Sequence, residues 1–183
     1  MVMEIRSSGI PPGYLVVEVS SFMAHELGKT ELLQKIPGST GNGFTPDIGI
    51  FTNIAPDHLN WHGDMRSYYQ AKFRLFERSK KSIVRDQVVV FAKKHTFPYQ
   101  FQNVRIFGGD SPDHLSATGD IILQGGAIYL QKDLSLSGEH NAYNILASIL
   151  AAKELQADDS ILRKTLKELT TLPHRLELVC EKD

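Results

Sequence analysis

The chain has 183 residues, of which 42% are hydrophobic and 22% are charged, and its formal net charge is −1. This composition is typical of one globular domain and argues against a disordered chain. The sequence has no basic or acidic block, no membrane-length apolar run and no signal-peptide pattern, so we expect neither nucleic-acid nor membrane binding. The single cysteine, Cys180, excludes an internal disulfide, and a cytoplasmic location is the default expectation.

Strands and helices alternate through the first half of the chain. Apolar, β-rich runs predict three buried strands: Tyr14–Val19, Ile48–Asn53 and Val88–Ala92. One helix is predicted from the hydroxyls of Ser20 and Ser21 to about Leu33, and a second from Asp64, as N-cap, to Arg78. Such alternation indicates a parallel sheet with helices packed on it.

Short strands and then two helices follow in the second half. The strands are predicted at Val104–Phe107, Asp120–Leu123 and Ala127–Leu130, with Gly125 and Gly126 as a hairpin turn between the last two. The helices are predicted at Glu139–Leu155 and Ser160–Leu169, before a last strand-like piece at Leu176–Cys180. The predicted fold class is therefore α/β, a mostly parallel sheet flanked by helices with a small antiparallel patch.

Polar residues gather at or just after predicted strand ends and at one helix start. The groups are Glu18 with Ser20 and Ser21, the run from Asn53 to His58, and His140 with Asn141 and Asn144. Ligands of an open parallel sheet bind at the carboxyl ends of its strands. Carboxylate, imidazole and hydroxyl groups at one edge suit an Mg²⁺-nucleotide site.

Each group also has a structural interpretation. Glu18 could be a buried acid neutralised by a neighbour, and His58 after a Pro-Asp turn could be a capping or solvated histidine. His140 and Asn141 could simply cap their helix. Lys72, on a mostly apolar helix face, is by default a lysine that extends its amine to water.

The order of these groups along the chain, with the residues around them, is a more specific signal of family than any single group. Together they resemble the middle, ATPase-type domain of the Mur ligases, a P-loop-NTPase-like domain, and among those ligases the D-glutamate-adding branch. The matching segments are Val17–Phe22 (Glu-x-Ser-Ser-Phe), Thr52–Gly63 (Asn-Ile-x-Pro-Asp-His-Leu), Ala71-Lys72, Ser137–Asn144 (Gly-x-His-Asn-x-x-Asn) and Leu172–Glu177 (Leu-Pro-His-Arg-Leu-Glu).

The resemblance implies roles for individual residues. Glu18 and His58 would hold Mg²⁺, and Lys72, carbamylated as in the family, would supply a further oxygen donor. Ser20 and Ser21 would lie near the UDP-linked substrate. The nucleotide would be bound by Asn53, His140, Asn141, Asn144 and Arg175, with Arg175 at its ribose or phosphates.

The resemblance also implies a reaction and its substrates. Members of the family pass the γ-phosphate of ATP to the carboxylate of UDP-MurNAc-L-Ala, and the amine of D-glutamate then attacks the acyl phosphate. ATP and Mg²⁺ are the implied cofactors, and peptidoglycan precursor synthesis is the implied role.

Some expected parts of the family pattern do not match. No Gly-Lys-Ser/Thr phosphate loop precedes Glu18, and Gly28-Lys29-Thr30 lies on the wrong side of it. The segment from Lys29 to Gly43 is longer than expected. We therefore expect residues 1–183 to be a central domain truncated on its N-terminal side, without the UDP-binding and C-terminal domains. Such a domain would be inactive alone and would self-associate through surfaces that its neighbours would cover.

Several alternatives remain open at this point. The nearest is a diaminopimelate- or lysine-adding Mur ligase, and folylpolyglutamate synthetase shares the chemistry but matches the motifs less well. A non-catalytic relic or binding domain of the same fold is favoured by the missing phosphate loop. An unrelated α/β domain would require all the ordered motifs to be accidental.

Overall fold

The computed structural model describes residues 13–27, 45–97, 101 and 103–170. A parallel sheet has the order β1 (Ile48–Phe51), β2 (Lys81–Arg85), β3 (Val104–Phe107), and an antiparallel sheet contains β4 (His114–Leu115), β5 (Ile121–Ile122) and β6 (Ile128–Tyr129). The helices are α1 (Ser21–Leu27), α2 (Leu59–His62), α3 (Met65–Arg78), α4 (Asp86–Lys94), α5 (Glu139–Glu154) and α6 (Asp159–Glu168). The predicted α/β class is confirmed.

The central strand β2 carries the hydrophobic core on both of its faces. Ile83 packs into a cluster with residues of α5 and the antiparallel sheet, including Leu146 and Ile121. The next residue, Val84, packs into a second cluster with α3 and α4, including Phe73. Side chains alternate between the faces of a strand, so these helices cover opposite faces of the parallel sheet.

Helix α3 begins where the sequence predicts. Asp64 has extended backbone angles, and its side chain accepts a hydrogen bond from the Ser67 backbone N–H at 2.7 Å. This N-cap satisfies one of the amide groups that have no partner within the helix.

The hairpin between β5 and β6 is also confirmed. Gly125 and Gly126 have φ angles of 103° and 89°, a region that glycine adopts without strain. The Leu123 N–H donates to the Ala127 carbonyl at 2.9 Å across the turn. Helices α5 and α6 match their predicted positions to within a residue at each end.

The prediction of a buried strand at Tyr14–Val19 is wrong. Residues 14–20 have no regular secondary structure, and Tyr14 and Val16 are 67% and 87% exposed. An apolar run becomes a strand only when a neighbouring strand satisfies its backbone N–H and carbonyl groups. No strand in the described part of the chain pairs with this segment.

The prediction of a strand at Val88–Ala92 is also wrong, because this segment lies in α4. Val88 and Ala92 are fully buried whereas Val90 is 63% exposed, which is the spacing of one helix face. Asp86 lies in the first turn and Lys93 and Lys94 in the last, where each charge favours the helix dipole. The strand before this helix is β2.

Val104–Phe107 forms a strand as predicted, but in a different sheet. It pairs in parallel with β2, with Val84 opposite Ile106, and so belongs to the main sheet rather than to the antiparallel patch. The predicted loop at Gly38–Gly43, the end of the first helix beyond Leu27 and the strand at Leu176–Cys180 lie outside the described residues. In the described ranges, no helix combines the length and apolar character needed to cross a lipid bilayer.

Candidate functional site

The segment that follows β1 carries two of the predicted site residues. Asn53 is exposed, and its Oδ1 accepts a hydrogen bond from the Ile54 N–H at 2.8 Å. His58 has a φ of 52° at the start of α2, and its Nε2 lies 3.3 Å from Asp57 Oδ2. Its side chain makes no capping hydrogen bond, so the structure does not support a capping role.

Helix α1 carries the two predicted substrate-binding serines. The Ser20 Oγ accepts a hydrogen bond from the Met23 N–H at 3.2 Å, as the predicted cap requires. Ser21 is only 3% exposed, and its Oγ lies 2.9 Å from His62 Nε2. Glu18 precedes this helix on an exposed stretch, so it is not the buried strand acid considered above.

Aromatic contacts join α1 to α2. The Phe22 ring lies 4.8 Å from the His58 ring, 4.8 Å from the Trp61 ring and 5.7 Å from the His62 ring. The His25 ring contacts Trp61 at 5.1 Å. We call Phe22, His25, His58, Trp61 and His62 the histidine cluster. It brings the Glu18–Phe22 segment and the His58 turn together.

Burial lowers the pKa of His62, whose side chain is 9% exposed. Positive charge on His25, His58 and Lys72 acts in the same direction. Both effects favour the neutral imidazole, which has one N–H donor and one acceptor nitrogen. The Ser21 hydroxyl can therefore partner either tautomer.

Lys72 lies on α3 beside the same cluster. Its Nζ is 5.6 Å from the centre of the Phe51 ring and 5.3 Å from that of the Tyr68 ring. Burial lowers the pKa of the Lys72 ammonium, and the Asp57 carboxylate opposes this shift. The amine does not extend freely into water, in contrast to the default interpretation of a surface lysine.

The remaining described site residues line a separate groove between α5 and α6. His140, Asn141 and Asn144 lie on the first turns of α5, and apolar side chains such as Ile145 and Leu162 complete the lining of a cavity of about 620 Å³. Asn141 Nδ2 donates to the Ser137 carbonyl at 2.8 Å, while Gly138 is the N-cap. Apolar walls with a few amide and imidazole groups suit a planar heterocycle.

Arg175 lies outside the described residues, so its predicted place beside this groove stays a prediction. Among the described residues, no hydrogen bond or ring contact connects the groove with the histidine cluster. The predicted residues thus form two groups, one at each of these places.

The residues near His58 fit a metal that a nucleotide brings with it. Within the described ranges, no group of three or more His, Cys, Asp or Glu side chains converges as a preformed cage would require. Protein-bound Mg²⁺ commonly uses one or two carboxylates and takes its other ligands from phosphates and water. Glu18 is exposed on the segment that leads into α1, and its carboxylate has the chemistry for such a partial site.

Sequence reasoning missed two buried residues, one in the histidine cluster and one at the end of β2. His62 lies within the Thr52–Gly63 segment, but its partner Ser21 is far away in the chain. Arg85 is 7% exposed at the carboxyl end of β2, with its guanidinium 3.7 Å from the centre of the Tyr143 ring. Placing the strand at Lys81–Arg85 would have put Arg85 at the ligand-binding edge of the sheet.

Comparison with known families decides the affiliation of the chain. The family described as the Mur ligase middle domain matches residues 12–152. The chain belongs to the Mur ligase family. Its curated relatives in that family include UDP-N-acetylmuramoylalanine--D-glutamate ligase of Natranaerobius thermophilus, 30% identical over 92% of this chain and 35% of the relative.

Two further relatives show the range of the similarity. The enzyme of the same name from Chlorobium limicola is 33% identical over 76% of this chain and 35% of its own length. A UDP-N-acetylmuramoyl-L-alanine--L-glutamate ligase from Xanthomonas campestris is 27% identical over 96% of this chain and 35% of its own length. The chain thus spans about a third of the length of these Mur ligases.

Solved Mur ligase structures share the fold. MurF from Acinetobacter baumannii superposes with a TM-score of 0.60 at 18% identity, over 75% of this chain and 32% of that one. A pseudomurein peptide ligase type C from Methanothermus fervidus gives a TM-score of 0.53 at 17% identity, over 88% of this chain and 44% of that one. MurF of Thermotoga maritima, solved in complex with ADP, gives 0.51 at 19% identity, over 70% of this chain and 32% of that one.

Proposed function

We propose that this chain provides the nucleotide-handling middle domain, over residues 1–183, of an ATP-dependent ligase that adds D-glutamate to UDP-MurNAc-L-Ala. The observation that carries the proposal is the meeting of three family motifs at one place. The segments with Ser20 and Ser21, with His58 and with Lys72 contact one another through the histidine cluster and Tyr68.

The groove between α5 and α6 is the proposed adenine site. His140, Asn141 and Asn144 would form hydrogen bonds with the polar edge of the adenine base. The apolar side chains of the groove would pack against its faces. Asn53 and Arg175 would contact the rest of the nucleotide. This assignment agrees with the order of the motifs along the chain.

Glu18 and His58 are the proposed protein ligands of the Mg²⁺ that accompanies ATP. Bound there, the metal would neutralise phosphate charge during phosphoryl transfer. Lys72 is the proposed site of a carbamate. Carbamylation requires a neutral amine, and the lowered pKa of Lys72 increases the neutral fraction at a given pH.

Ser20 and Ser21 are the proposed contacts to the UDP-linked substrate. In the proposed reaction, the carboxylate of UDP-MurNAc-L-Ala attacks the γ-phosphorus of ATP and forms an acyl phosphate with release of ADP. The amine of D-glutamate then attacks the acyl carbon and releases phosphate. The contribution of the chain is positioning and charge neutralisation.

The identity of the amino acid that is added has the closest alternative. The relative from Xanthomonas campestris is named as an L-glutamate ligase and is covered by this chain as fully as the D-glutamate ligases are. A diaminopimelate- or lysine-adding ligase is a further competitor within the family. A non-catalytic domain of the same fold is the competitor outside the ligases.

A chimaera tests the proposal. The matching region of the Natranaerobius thermophilus ligase is replaced by this chain, with the phosphate loop and flanking parts of that ligase retained. We expect phosphate release from ATP that requires both UDP-MurNAc-L-Ala and an amino acid, and a D-glutamate product by mass spectrometry. The same chimaera with Lys72→Ala should lose at least about 100-fold in rate, as expected when a charge-stabilising group is removed.

The contrary outcomes separate the competitors. A product only with L-glutamate, or only with diaminopimelate or lysine, would assign the chain to that branch. A folded chimaera without phosphate release would leave the non-catalytic domain as the better account.

A further inference from the structure

His62 contacts all three segments that carry the proposed metal and carbamate residues. The first contact is the hydrogen bond between His62 Nε2 and Ser21 Oγ, 2.9 Å long, with both side chains buried. The bond joins α2 to the first residue of α1, just after Glu18. A buried polar group that loses a hydrogen-bond partner is costly, so this contact favours one arrangement of the two helices.

The second contact is through the backbone. The His62 N–H donates to the His58 carbonyl at 3.0 Å, and so does the Trp61 N–H. These bonds close the turn in which His58 has its left-handed φ of 52°. The backbone of His62 is therefore held at a fixed place relative to His58.

The third contact is through Tyr68 on α3. The rings of His62 and Tyr68 lie 5.2 Å apart, edge to face, and the Lys72 Nζ lies over the same Tyr68 ring at 5.3 Å. The orientation of the His62 ring thus affects the position of the Lys72 amine through the Tyr68 ring.

We propose that His62 is the positioning residue of this site: through the Ser21 hydrogen bond it holds the segments bearing Glu18, His58 and Lys72 at the separation that metal–nucleotide binding requires. The inference rests on the proposed function for the identity of the ligand. An apolar side chain could fill the same space, but only a hydrogen-bonding side chain fixes the Ser21 contact. Residues that orient metal ligands act in this way in other metal sites.

Variants on both sides of the hydrogen bond test the proposal in the full chain. Ser21→Ala removes the hydroxyl and leaves every ring in place, His62→Leu removes the imidazole, and His62→Gln retains an amide at similar reach. Ser79→Ala is the matched control, because Ser79 is also a buried serine and its Oγ donates at 2.9 Å to the Leu75 carbonyl at the end of α3. Thermal unfolding establishes that each variant is folded.

Two readouts are recorded, the affinity for Mn²⁺·ATP by electron paramagnetic resonance and the ring ¹⁵N shifts of His58 by NMR. Ser21→Ala and His62→Leu should each weaken Mn²⁺·ATP binding about 10-fold, in the range known for residues that orient metal ligands. The double variant should be no worse than either single one, because both remove the same contact. Both single variants should shift His58, whereas His62→Gln and Ser79→Ala should remain close to wild type.

The outcomes distinguish this inference from the proposed function. Where the wild-type chain binds Mn²⁺·ATP, unchanged His58 shifts or unchanged Mn²⁺·ATP affinity in folded Ser21→Ala would overturn the positioning role. A wild-type chain that binds no Mn²⁺·ATP, with His58 still displaced in Ser21→Ala, would support the positioning role and contradict the proposed metal site. If His62→Leu does not fold, Ser21→Ala alone decides, since it removes a single oxygen atom.

Discussion

The Lys72 amine lies between two aromatic rings rather than in open water. Transfer of a charged amine into such surroundings costs free energy, which shifts its equilibrium towards the neutral form. Asp57 reduces this shift but does not reverse it. At the scale of the residue, this environment distinguishes Lys72 from a surface lysine.

We therefore expect Lys72 to titrate below the ordinary lysine pKa of about 10.4. The pH dependence of its acetylation, followed by mass spectrometry against free Nα-acetyl-lysine amide, measures this pKa. Removal of the opposing carboxylate in Asp57→Asn should lower the Lys72 pKa further. A Lys72 that titrates with the free reference would contradict the described burial.

The order of the motifs identified most of the candidate site from sequence, but not its contacts. Glu18, His58 and Lys72 follow from family patterns in the chain. The hydrogen bond between Ser21 and His62 has no local signature, because it depends on how α1 packs against α2 and α3. Side-chain contacts between distant segments are set by tertiary packing, which periodicity does not encode.

At the scale of the element, α3 provides a test of its N-cap. Hydrogen bonds from Ser67 hold the pKa of Asp64 below its ordinary value. The ionised Asp64 therefore stabilises the fold above the unfolded carboxyl pKa of about 3.9, and this contribution is lost as pH falls through the lower folded value.

Asp64→Asn is the matched variant, because asparagine caps a helix about as well but does not titrate. Urea unfolding between pH 3 and pH 7 should show that Asp64→Ala is less stable than wild type at pH 7, and that Asp64→Asn has a weaker dependence on pH in the acid range. Identical pH profiles for wild type and Asp64→Asn would contradict the capping role of the carboxylate.

The segment Val88–Ala92 shows where sequence reasoning failed at this scale. A short run of valines is compatible with a buried strand or with one face of a helix, and only its neighbours decide. Here β2 occupies the central position of the sheet, so the valines form the helix that packs on it. The strands β1 and β3 and the long helices α3 and α5 were predictable because their patterns have one interpretation.

A pair of substitutions tests the helix directly. Val88 and Val90 would share a face in a strand, but in α4 only Val88 is buried. Val88→Ala should cost about 2 kcal/mol of unfolding free energy, whereas Val90→Ala should change it by less than about 0.5 kcal/mol. Chemical denaturation measures both, and equal losses would favour the strand.

At the scale of the whole molecule, apolar side chains lie exposed on the segment before α1. Tyr14 is 67%, Leu15 57% and Val16 87% exposed. A contiguous apolar patch of this kind favours association. We expect sedimentation velocity to show concentration-dependent self-association that decreases in Leu15→Ser/Val16→Ser, while Ile161→Ser, at an equally exposed isoleucine on α6, should have no effect. A chain that stays monomeric at all concentrations would contradict this expectation.

The proposed Mg²⁺-nucleotide complex spans the histidine cluster and the groove between α5 and α6. An NMR titration of the ¹⁵N-labelled chain with Mn²⁺·ATP, compared with Mg²⁺·ATP, tests it most directly, because Mn²⁺ broadens the signals of nearby nuclei. We expect broadening centred on Glu18 and His58, and Mg²⁺·ATP shift changes at His140, Asn141 and Asn144. Broadening centred on other residues, or an absence of shift changes at the groove residues, would contradict this arrangement of the nucleotide.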